Sequence, residues 1–297
     1  MKKGLLIGAL FSLALVIIGC GVTTQNSTYY YHPSWTSGGN IIFIKGLQSV
    51  DKNFVGSQTG SNYTESLMTM STAGAGETFL FDMTGAPPIA MTTSPTGEYV
   101  AYGDDLRKGL FGKIVILNIG AGSHSGLNKV ELAFPSGVAA FDWSSDGTKL
   151  AYCTTSEVHT IKVDGSADTL VTAEADISFV SWKYGNQIAF VHTTGSNKIL
   201  SLIVPGGARA DMAAGASVDK PQISAINNNI IYGIGGSSYC SVDISLGTPA
   251  TTEVLPAFRG DLPRLSPDAT KAVYSKASEQ SGIYVLDVNT KLETQIK

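Results

Sequence analysis

One short pattern recurs six times along this chain, and it constrains the fold more than any other feature of the sequence. Each copy opens on an aromatic or apolar residue, except the second, which opens on Thr93, and continues with a turn of polar and small residues and an apolar run that closes on an aromatic residue. The six copies span residues 35–43, 93–102, 143–152, 182–190, 223–232 and 265–274. The last four closing aromatic residues are 38, 42 and 42 residues apart. A repeat of this length indicates an array of similar supersecondary units rather than one irregular domain.

Each copy continues into further runs in which apolar and polar residues alternate, which is the pattern of β-strands. A third run occupies residues 66–71, 114–119, 158–163, 199–204, 239–244 and 283–288, and a weaker fourth run often follows, for example at 168–173 and 293–297. Sustained helical periodicity is absent after residue 20. Four strands in each of six units predict an all-β fold, a six-bladed β-propeller of four-stranded antiparallel blades.

The turns inside these units resemble those of the TolB-like propeller repeat, in which a P-x-W-S-P-D-G turn precedes two apolar strands. The best matches are FDWSSDGTKLAY at 141–152, PRLSPDATKAVY at 263–274, IYVLD at 283–287 and PSW at 33–35. The resemblance covers residues 32–297, although the turns of the fourth and fifth units depart from it. It implies six blades, Trp143 and Trp182 packed between blades, and a periplasmic scaffold that docks a lipoprotein or membrane partner.

The first 19 residues have the layout of a secretory signal: two lysines, an apolar run and a small residue before Cys20. The string IIGC at 17–20 resembles the lipobox of bacterial lipoproteins, so we expect cleavage before Cys20 and lipidation of its thiol. The alternative is an ordinary signal peptide or membrane anchor that contains a cysteine. Because Gly21 rather than Asp follows, the resemblance implies an outer-membrane lipoprotein facing the periplasm in a diderm cell, and otherwise the outer face of the cell membrane.

These observations divide the chain into a signal peptide (1–19), a lipidated tether (20–31) and a propeller (32–297). The tether ends in three consecutive tyrosines, Tyr29 to Tyr31. They either pair with the last strand, 293–297, and close the ring, or remain an unpaired linker. The sequence leaves both possibilities open.

Composition narrows the possible partners. Lys2 and Lys3 leave with the signal, so 18 of the 20 basic residues remain against 24 acidic ones, a formal charge of −6. Proteins that bind nucleic acid carry a basic surface, so we predict no nucleic-acid partner. Cys153 and Cys240 lie in apolar runs of non-adjacent units, so we expect two buried thiols rather than a disulfide.

Catalytic motifs are sparse. The sequence has no HExxH, phosphate-binding loop, EF-hand loop or CxxC pattern, and GSHSG at 122–126 has no serine in the middle of G-x-S-x-G. We predict no catalytic residues, no metal site and no cofactor. A glycan-acting hydrolase or lyase in the central channel, which is one alternative, would draw on Asp142, Ser181 and Gln222 of the first strands. A carbohydrate- or peptide-binding module is another.

Two polar insertions distinguish neighbouring units. One runs from Lys45 to about Glu65 and the other from Gly103 to Gly112, and each follows the second strand of its unit. In an up-and-down blade these connections open on the face that also carries the blade-to-blade connections, so we predict a binding surface there. The alternative is harmless drift in surface loops. The candidate binding residues are Asp104, Asp105, Arg107, Lys108 and Phe111.

The leading functional hypothesis follows from these points together. The chain is predicted to be a membrane-anchored, non-enzymatic scaffold that binds an envelope protein through one face of the propeller.

Overall fold

The structure is a computed structural model that describes residues 23–53, 55–83, 90–107, 109–120, 129–182, 186–212, 219–223, 230–235, 237–245, 251–256, 258, 260, 263–276 and 282–297. Six sheets, each of four strands, account for the regular structure of this part of the chain. Strands that follow one another in the sequence pair antiparallel within every sheet. The predicted all-β, six-bladed propeller is therefore confirmed.

The blades follow the sequence in order. Blades one to three contain β1 (Thr23–Trp35), β2 (Ile41–Lys52), β3 (Gln58–Met70) and β4 (Thr78–Asp82); β5 (Met91–Thr93), β6 (Tyr99–Arg107), β7 (Leu110–Asn118) and β8 (Lys129–Val138); and β9 (Ala140–Trp143), β10 (Lys149–Cys153), β11 (Glu157–Lys162) and β12 (Thr169–Ala173).

Blades four to six contain β13 (Phe179–Ser181), β14 (Ile188–Thr194), β15 (Asn197–Ile203) and β16 (Arg209–Asp211); β17 (Asp219–Ile223), β18 (Ile230–Gly235), β19 (Ser238–Asp243) and β20 (Thr251–Leu255); and β21 (Arg264–Leu265), β22 (Lys271–Lys276), β23 (Gly282–Asp287) and β24 (Glu293–Gln295). Within the described residues, no helix is long and apolar enough to cross a membrane.

The turn between the first and second strands shows why the recurring S-x-D string specifies a hairpin. In blade three the hydroxyl of Ser144 donates to Asp146 Oδ1 at 2.6 Å, and in blade six the hydroxyl of Ser266 donates to Asp268 Oδ1 at the same distance. Short polar side chains that bond within four residues hold the backbone in a turn. The recurring S-x-D string therefore forms the same turn in blades three and six, through the same hydrogen bond.

The apolar core lies between the blades, as six clusters that each join two neighbouring blades. Trp143 is fully buried between blades two and three, where its ring stacks on Tyr99 with centroids 6.0 Å apart. Trp182 lies in the cluster between blades three and four. Both tryptophans therefore occupy the interfaces that the TolB-like resemblance implies for them.

The N-terminal segment differs from expectation. Strand β1 begins at Thr23 and pairs with β2 along its length, with Tyr31 opposite Ile44 and Thr23 opposite Lys52. Residues 23–31 are thus neither an unpaired tether nor a strand of the last blade, and the expected boundary at residue 31 falls inside a strand. Residues 23–31 form a strand because the insertion after Phe43 lengthens the β2–β3 hairpin, and β1 pairs with the lengthened part of β2.

The ring closes by packing rather than by exchange of a strand. The four strands of blade six come from consecutive sequence, and β24 pairs with β23. Trp35 and Phe43 of blade one share an apolar cluster with Val273 and Ile283 of blade six. This interface is built like the other five.

Cys153 and Cys240 are free and buried. Cys153 is fully buried, and burial raises its pKa to about 12. Cys240 is also buried, and its pKa is raised for the same reason. The expectation of two buried thiols is confirmed.

Candidate functional site: the central channel and the upper face

The first strands of the blades place one polar residue each at the same position, immediately before the residue that opens each sequence repeat. All six side chains are buried, with at most 5% of any residue exposed. They are Ser34, Thr92, Asp142, Ser181, Gln222 and Arg264. We call these six residues the inner ring.

Inner-ring side chains connect each blade to the next by hydrogen bonds to its backbone. Ser34 Oγ accepts from the amide of Thr93 at 3.2 Å, and Asp142 Oδ2 accepts from the amide of Trp182 at 3.2 Å. The same contact recurs between later blades, where Ser181 Oγ and Gln222 Oε1 accept from the amides of Ile223 and Leu265. Buried polar groups require such partners. The inner ring therefore has a structural task at the blade interfaces.

The inner ring contains one acid and one base. Asp142 accepts further bonds from the hydroxyls of Ser181 at 3.0 Å and Thr92 at 3.3 Å. Arg264 Nη2 donates to the carbonyl of Met91 at 3.0 Å, which joins blade six to blade two. Burial lowers the pKa of Arg264, and the charge of Asp142 opposes that shift. The carboxylate expected to serve a channel enzyme is thus engaged by its neighbours on both oxygens.

Sequence reasoning missed Arg264, although a signal was present. Asp142, Ser181 and Gln222 were recognised as first-strand polar residues, whereas Arg264 stands in the same position of the P-R-L string at 263–265. Alignment of the position before each opening residue would have found all six members.

The upper face is defined as the side that carries the connections between second and third strands and between successive blades. On this face blade one extends into a three-stranded ribbon made of residues 23–31 of β1, 46–52 of β2 and 58–65 of β3. Three large apolar or aromatic residues of the ribbon are exposed by 37% to 46%, namely Tyr29, Leu47 and Tyr63, and Val55, in the turn between β2 and β3, is exposed by 65%. Residues 45–52 and 58–65 of the predicted insertion are therefore β-strands rather than a loop.

A tyrosine cluster lies at the base of the ribbon. The Tyr31 hydroxyl donates to Glu65 Oε1 and lies 3.1 Å from the Tyr63 hydroxyl. Glu65 is 2% exposed, and its Oε2 has no partner among the described residues. Burial, followed by the bond to Glu65, raises the pKa of Tyr31, so this hydroxyl remains a donor. Gly46 leaves the space that Tyr63 occupies, because a Cβ there would meet the Tyr63 hydroxyl at 2.7 Å.

The structure describes the side chains of three of the five candidate binding residues. Asp104 and Asp105 lie partly exposed in β6, where Asp104 Oδ1 accepts from the amide of Asp105 at 2.7 Å. Phe111 is only 5% exposed and packs edge-on against Phe141, so it belongs to the core between blades two and three. Arg107 ends β6, with its side chain outside the description, and Lys108 lies outside the described residues.

Metal-ligating side chains do not cluster in the part of the chain that the structure describes: no group of three or more His, Cys, Asp or Glu could hold an ion there.

No protein-family model and no curated protein matches the sequence. Solved structures do share its fold. Hydrazine synthase of Kuenenia stuttgartiensis matches at 14% identity and a TM-score of 0.52, over 90% of this chain and 95% of the other. An inactive virginiamycin B lyase of Staphylococcus aureus with quinupristin matches at 14% identity and a TM-score of 0.52, over 93% of this chain and 88% of the other.

Acylaminoacyl peptidase of Pyrococcus horikoshii matches at 10% identity and a TM-score of 0.50, over 91% of this chain and 52% of the other. The chain also spans 30% of the tricorn protease, at a TM-score of 0.40. At such identities a likeness establishes the fold alone. The class that fold and blade order define is that of the six-bladed β-propellers.

Proposed function

We propose that this protein is an envelope lipoprotein, anchored through Cys20, whose propeller docks a partner protein by strand addition to the ribbon of blade one. The observation that carries the proposal is the edge of β1. Residues 23–30 pair only with β2 among the described strands, and no charged residue occurs from 23 to 31. Natural proteins protect a long open edge with charges, prolines or bulges, so an unprotected edge marks a place where another strand pairs.

Exposed side chains of the ribbon suit the same role. Tyr29 and Tyr63 offer aromatic rings with hydroxyl groups, and Leu47 and Val55 add apolar area. Aromatic side chains are enriched where proteins bind one another, because they bury much area at a low cost in side-chain freedom. The TolB-like resemblance of the repeats supports a scaffold function in the cell envelope. Lipid on Cys20 would keep the ribbon close to membrane-bound partners.

Site-specific cross-linking tests the docking edge in cells. A photoreactive amino acid at Thr28, an exposed residue on the edge of β1, should form an adduct with an envelope protein. The matched control is Thr252, an exposed threonine on the edge strand β20, which should form none. Ser27→Lys should abolish the adduct at position 28, because a lysine on the edge opposes strand addition. An adduct of twice the chain mass, or equal yields at both positions, would contradict the proposal.

The anchor has a separate test. Wild-type protein grown with labelled fatty acid should carry the label, whereas Cys20→Ala should carry none and should accumulate as an uncleaved or released form. Two acyl chains give stable membrane binding where one gives only marginal binding. Equal labelling of both proteins would refute lipidation while leaving the docking edge untouched.

A further inference from the structure

A cleft of about 650 Å³ opens at the outer rim of the propeller between blades two and three, away from the ribbon. That volume lies within the range of ligand-binding pockets, about 300–1,000 Å³. Strand β8 forms one wall and strands β10 and β11 form the other. The cleft is therefore independent of the docking edge proposed above.

The floor of the cleft is apolar and aromatic. Leu132 and Phe134 of β8 face Tyr152 and Ile161 of blade three across it. The rings of Phe134 and Tyr152 have centroids 4.7 Å apart, and Leu132 and Ile161 are buried. Such a floor suits an aliphatic chain, because burying apolar area is favourable in proportion to the area removed from water.

A bonded frame fixes two carboxylates above this floor. The imidazole of His159 lies between them, with Nδ1 3.1 Å from Asp168 Oδ1 and Nε2 3.2 Å from Glu157 Oε2. The Tyr152 hydroxyl donates to Asp168 Oδ2 at 2.8 Å, and its ring stacks on the imidazole with centroids 5.0 Å apart. The side chains of Glu157 and Asp168 are nevertheless 45% and 46% exposed, so they can accept further hydrogen bonds from a ligand.

Acidic side chains outnumber basic ones in the lining of the cleft. Asp164 adds a third carboxylate at the lower end, and hydrogen bonds from Ser166 lower its pKa, so it stays ionised. Glu131 also borders the cleft but is paired with Lys129 at 2.6 Å. The lining contains no lysine or arginine, and its carboxylates of Glu157, Asp164 and Asp168 are accompanied by one imidazole, that of His159. An anionic ligand would be repelled here.

We propose that this cleft binds an amphipathic organic cation: an ammonium or guanidinium group held by Asp168, Glu157 and Asp164, on an aliphatic chain that lies against Leu132, Phe134 and Ile161. Both a free amine and a lysine or arginine side chain of another protein have this chemistry. Hydrogen bonds between a charged donor and a carboxylate are about twice as strong as neutral ones, which gives the head group its selectivity.

Three probes that share a six-carbon tail separate the contribution of the charged head group from that of the apolar chain. Hexylammonium, hexanol and hexanoate are titrated by ligand-observed NMR into the full mature chain carrying Cys20→Ala, at low ionic strength. We expect hexylammonium to bind at least ten-fold more tightly than hexanol and hexanoate to bind most weakly. Added salt should weaken the binding of hexylammonium but not that of hexanol. Binding of hexanol as tight as that of hexylammonium would overturn the proposal.

Matched variants locate the site. Asp168→Asn keeps an oxygen that can accept from Tyr152, and Asp164→Asn keeps the turn; each should weaken hexylammonium binding at least three-fold without unfolding the protein. The control is Asp243→Asn, because Asp243 accepts from Ser245 with the same distances, 2.9 Å and 2.6 Å, that Asp164 has to Ser166 but lies outside the cleft. Equal losses in Asp164→Asn and Asp243→Asn would refute the site.

The source of the cation is decided by a blocked Ala-Lys-Ala peptide. Tighter binding of the peptide than of hexylammonium supports a protein side chain as the natural ligand, and the reverse order supports a free amine. Absence of saturable binding for both probes would end the proposal.

Discussion

At the scale of single residues, the two S-x-D turns form a natural comparison. The residue after the aspartate has a left-handed backbone in both: Gly147 has φ of 69° and Ala269 has φ of 54°. A side chain in this conformation costs roughly 1–2 kcal/mol, whereas glycine adopts it freely. The turn of blade three is therefore free of backbone strain at Gly147, whereas the turn of blade six is strained at Ala269.

Exchanging the two residues should move stability in opposite directions. We expect Ala269→Gly to raise the free energy of unfolding by up to about 1 kcal/mol and Gly147→Ala to lower it by about as much or more. A Cβ at position 147 would also meet Thr96 at 3.1 Å, which adds to the loss. Urea denaturation of both variants provides the measurement. A destabilised Ala269→Gly protein would show that the turn is not strained.

Cysteine reactivity reports on the interior of the blades. Because burial raises the pKa of Cys153 to about 12 and that of Cys240 above its usual value, both thiols are protonated and shielded at pH 8. We expect the folded Cys20→Ala protein to resist a thiol reagent and the denatured protein to react at two thiols without reductant. Fewer than two would indicate a disulfide, and fast reaction of the folded protein would indicate an open blade interface.

At the scale of elements, the three tryptophans, each of which opens a sequence repeat, differ in one contact. Trp35 Nε1 donates to the carbonyl of Arg264 at 2.8 Å and Trp143 Nε1 to that of Thr92 at 3.1 Å, each in the preceding blade. Trp182 Nε1 is buried without a partner among the described residues. Two of the three indoles therefore bond one blade to another.

Replacement by phenylalanine should expose this difference. All three variants lose similar volume, but only Trp35→Phe and Trp143→Phe remove a hydrogen bond between an indole and the backbone of another blade. We expect these two to lose about 0.5–1.5 kcal/mol more than Trp182→Phe, the net contribution of one hydrogen bond. Chemical denaturation measures the three values side by side. If Trp182→Phe proved equally destabilising, the indole bonds would contribute nothing beyond packing.

These elements also show what sequence can reveal. The spacing of the aromatic residues and the S-x-D turns are local, so they predict six hairpins and hence the blades. The ribbon was harder to predict because β1 reads as a polar run, TTQNSTYYY, and its partners lie about twenty residues away. The burial of Phe111 in the core was not predicted, because the pairing of β7 with β8 shifts register beside it, an irregularity that alternation does not indicate.

At the scale of the whole molecule, three regions carry separate tasks. The inner ring holds the blades together, the ribbon presents an open strand edge on the upper face, and the cleft between blades two and three lies on the outer rim. The inner-ring contacts join residues of different blades that are some forty or more residues apart, as Asp142 and Trp182 are, and the cleft brings Phe134 of blade two against Tyr152 of blade three. Such residues are close to each other only in the folded propeller, so no local sequence pattern identifies them.

The way the ring closes has a consequence for the order of the chain itself. Every blade is a contiguous piece of sequence, and the interface between blades six and one is held by side chains such as Trp35, Phe43 and Val273. The chain could therefore begin at any of the six blades and still form the same ring. We expect a circularly permuted protein, opened between Ala173 and Phe179 and joined from Lys297 to Thr23 by a flexible linker, to fold with the same β-sheet circular dichroism and a single cooperative melt. A permuted chain that stays unfolded would mean that blade one must be made first.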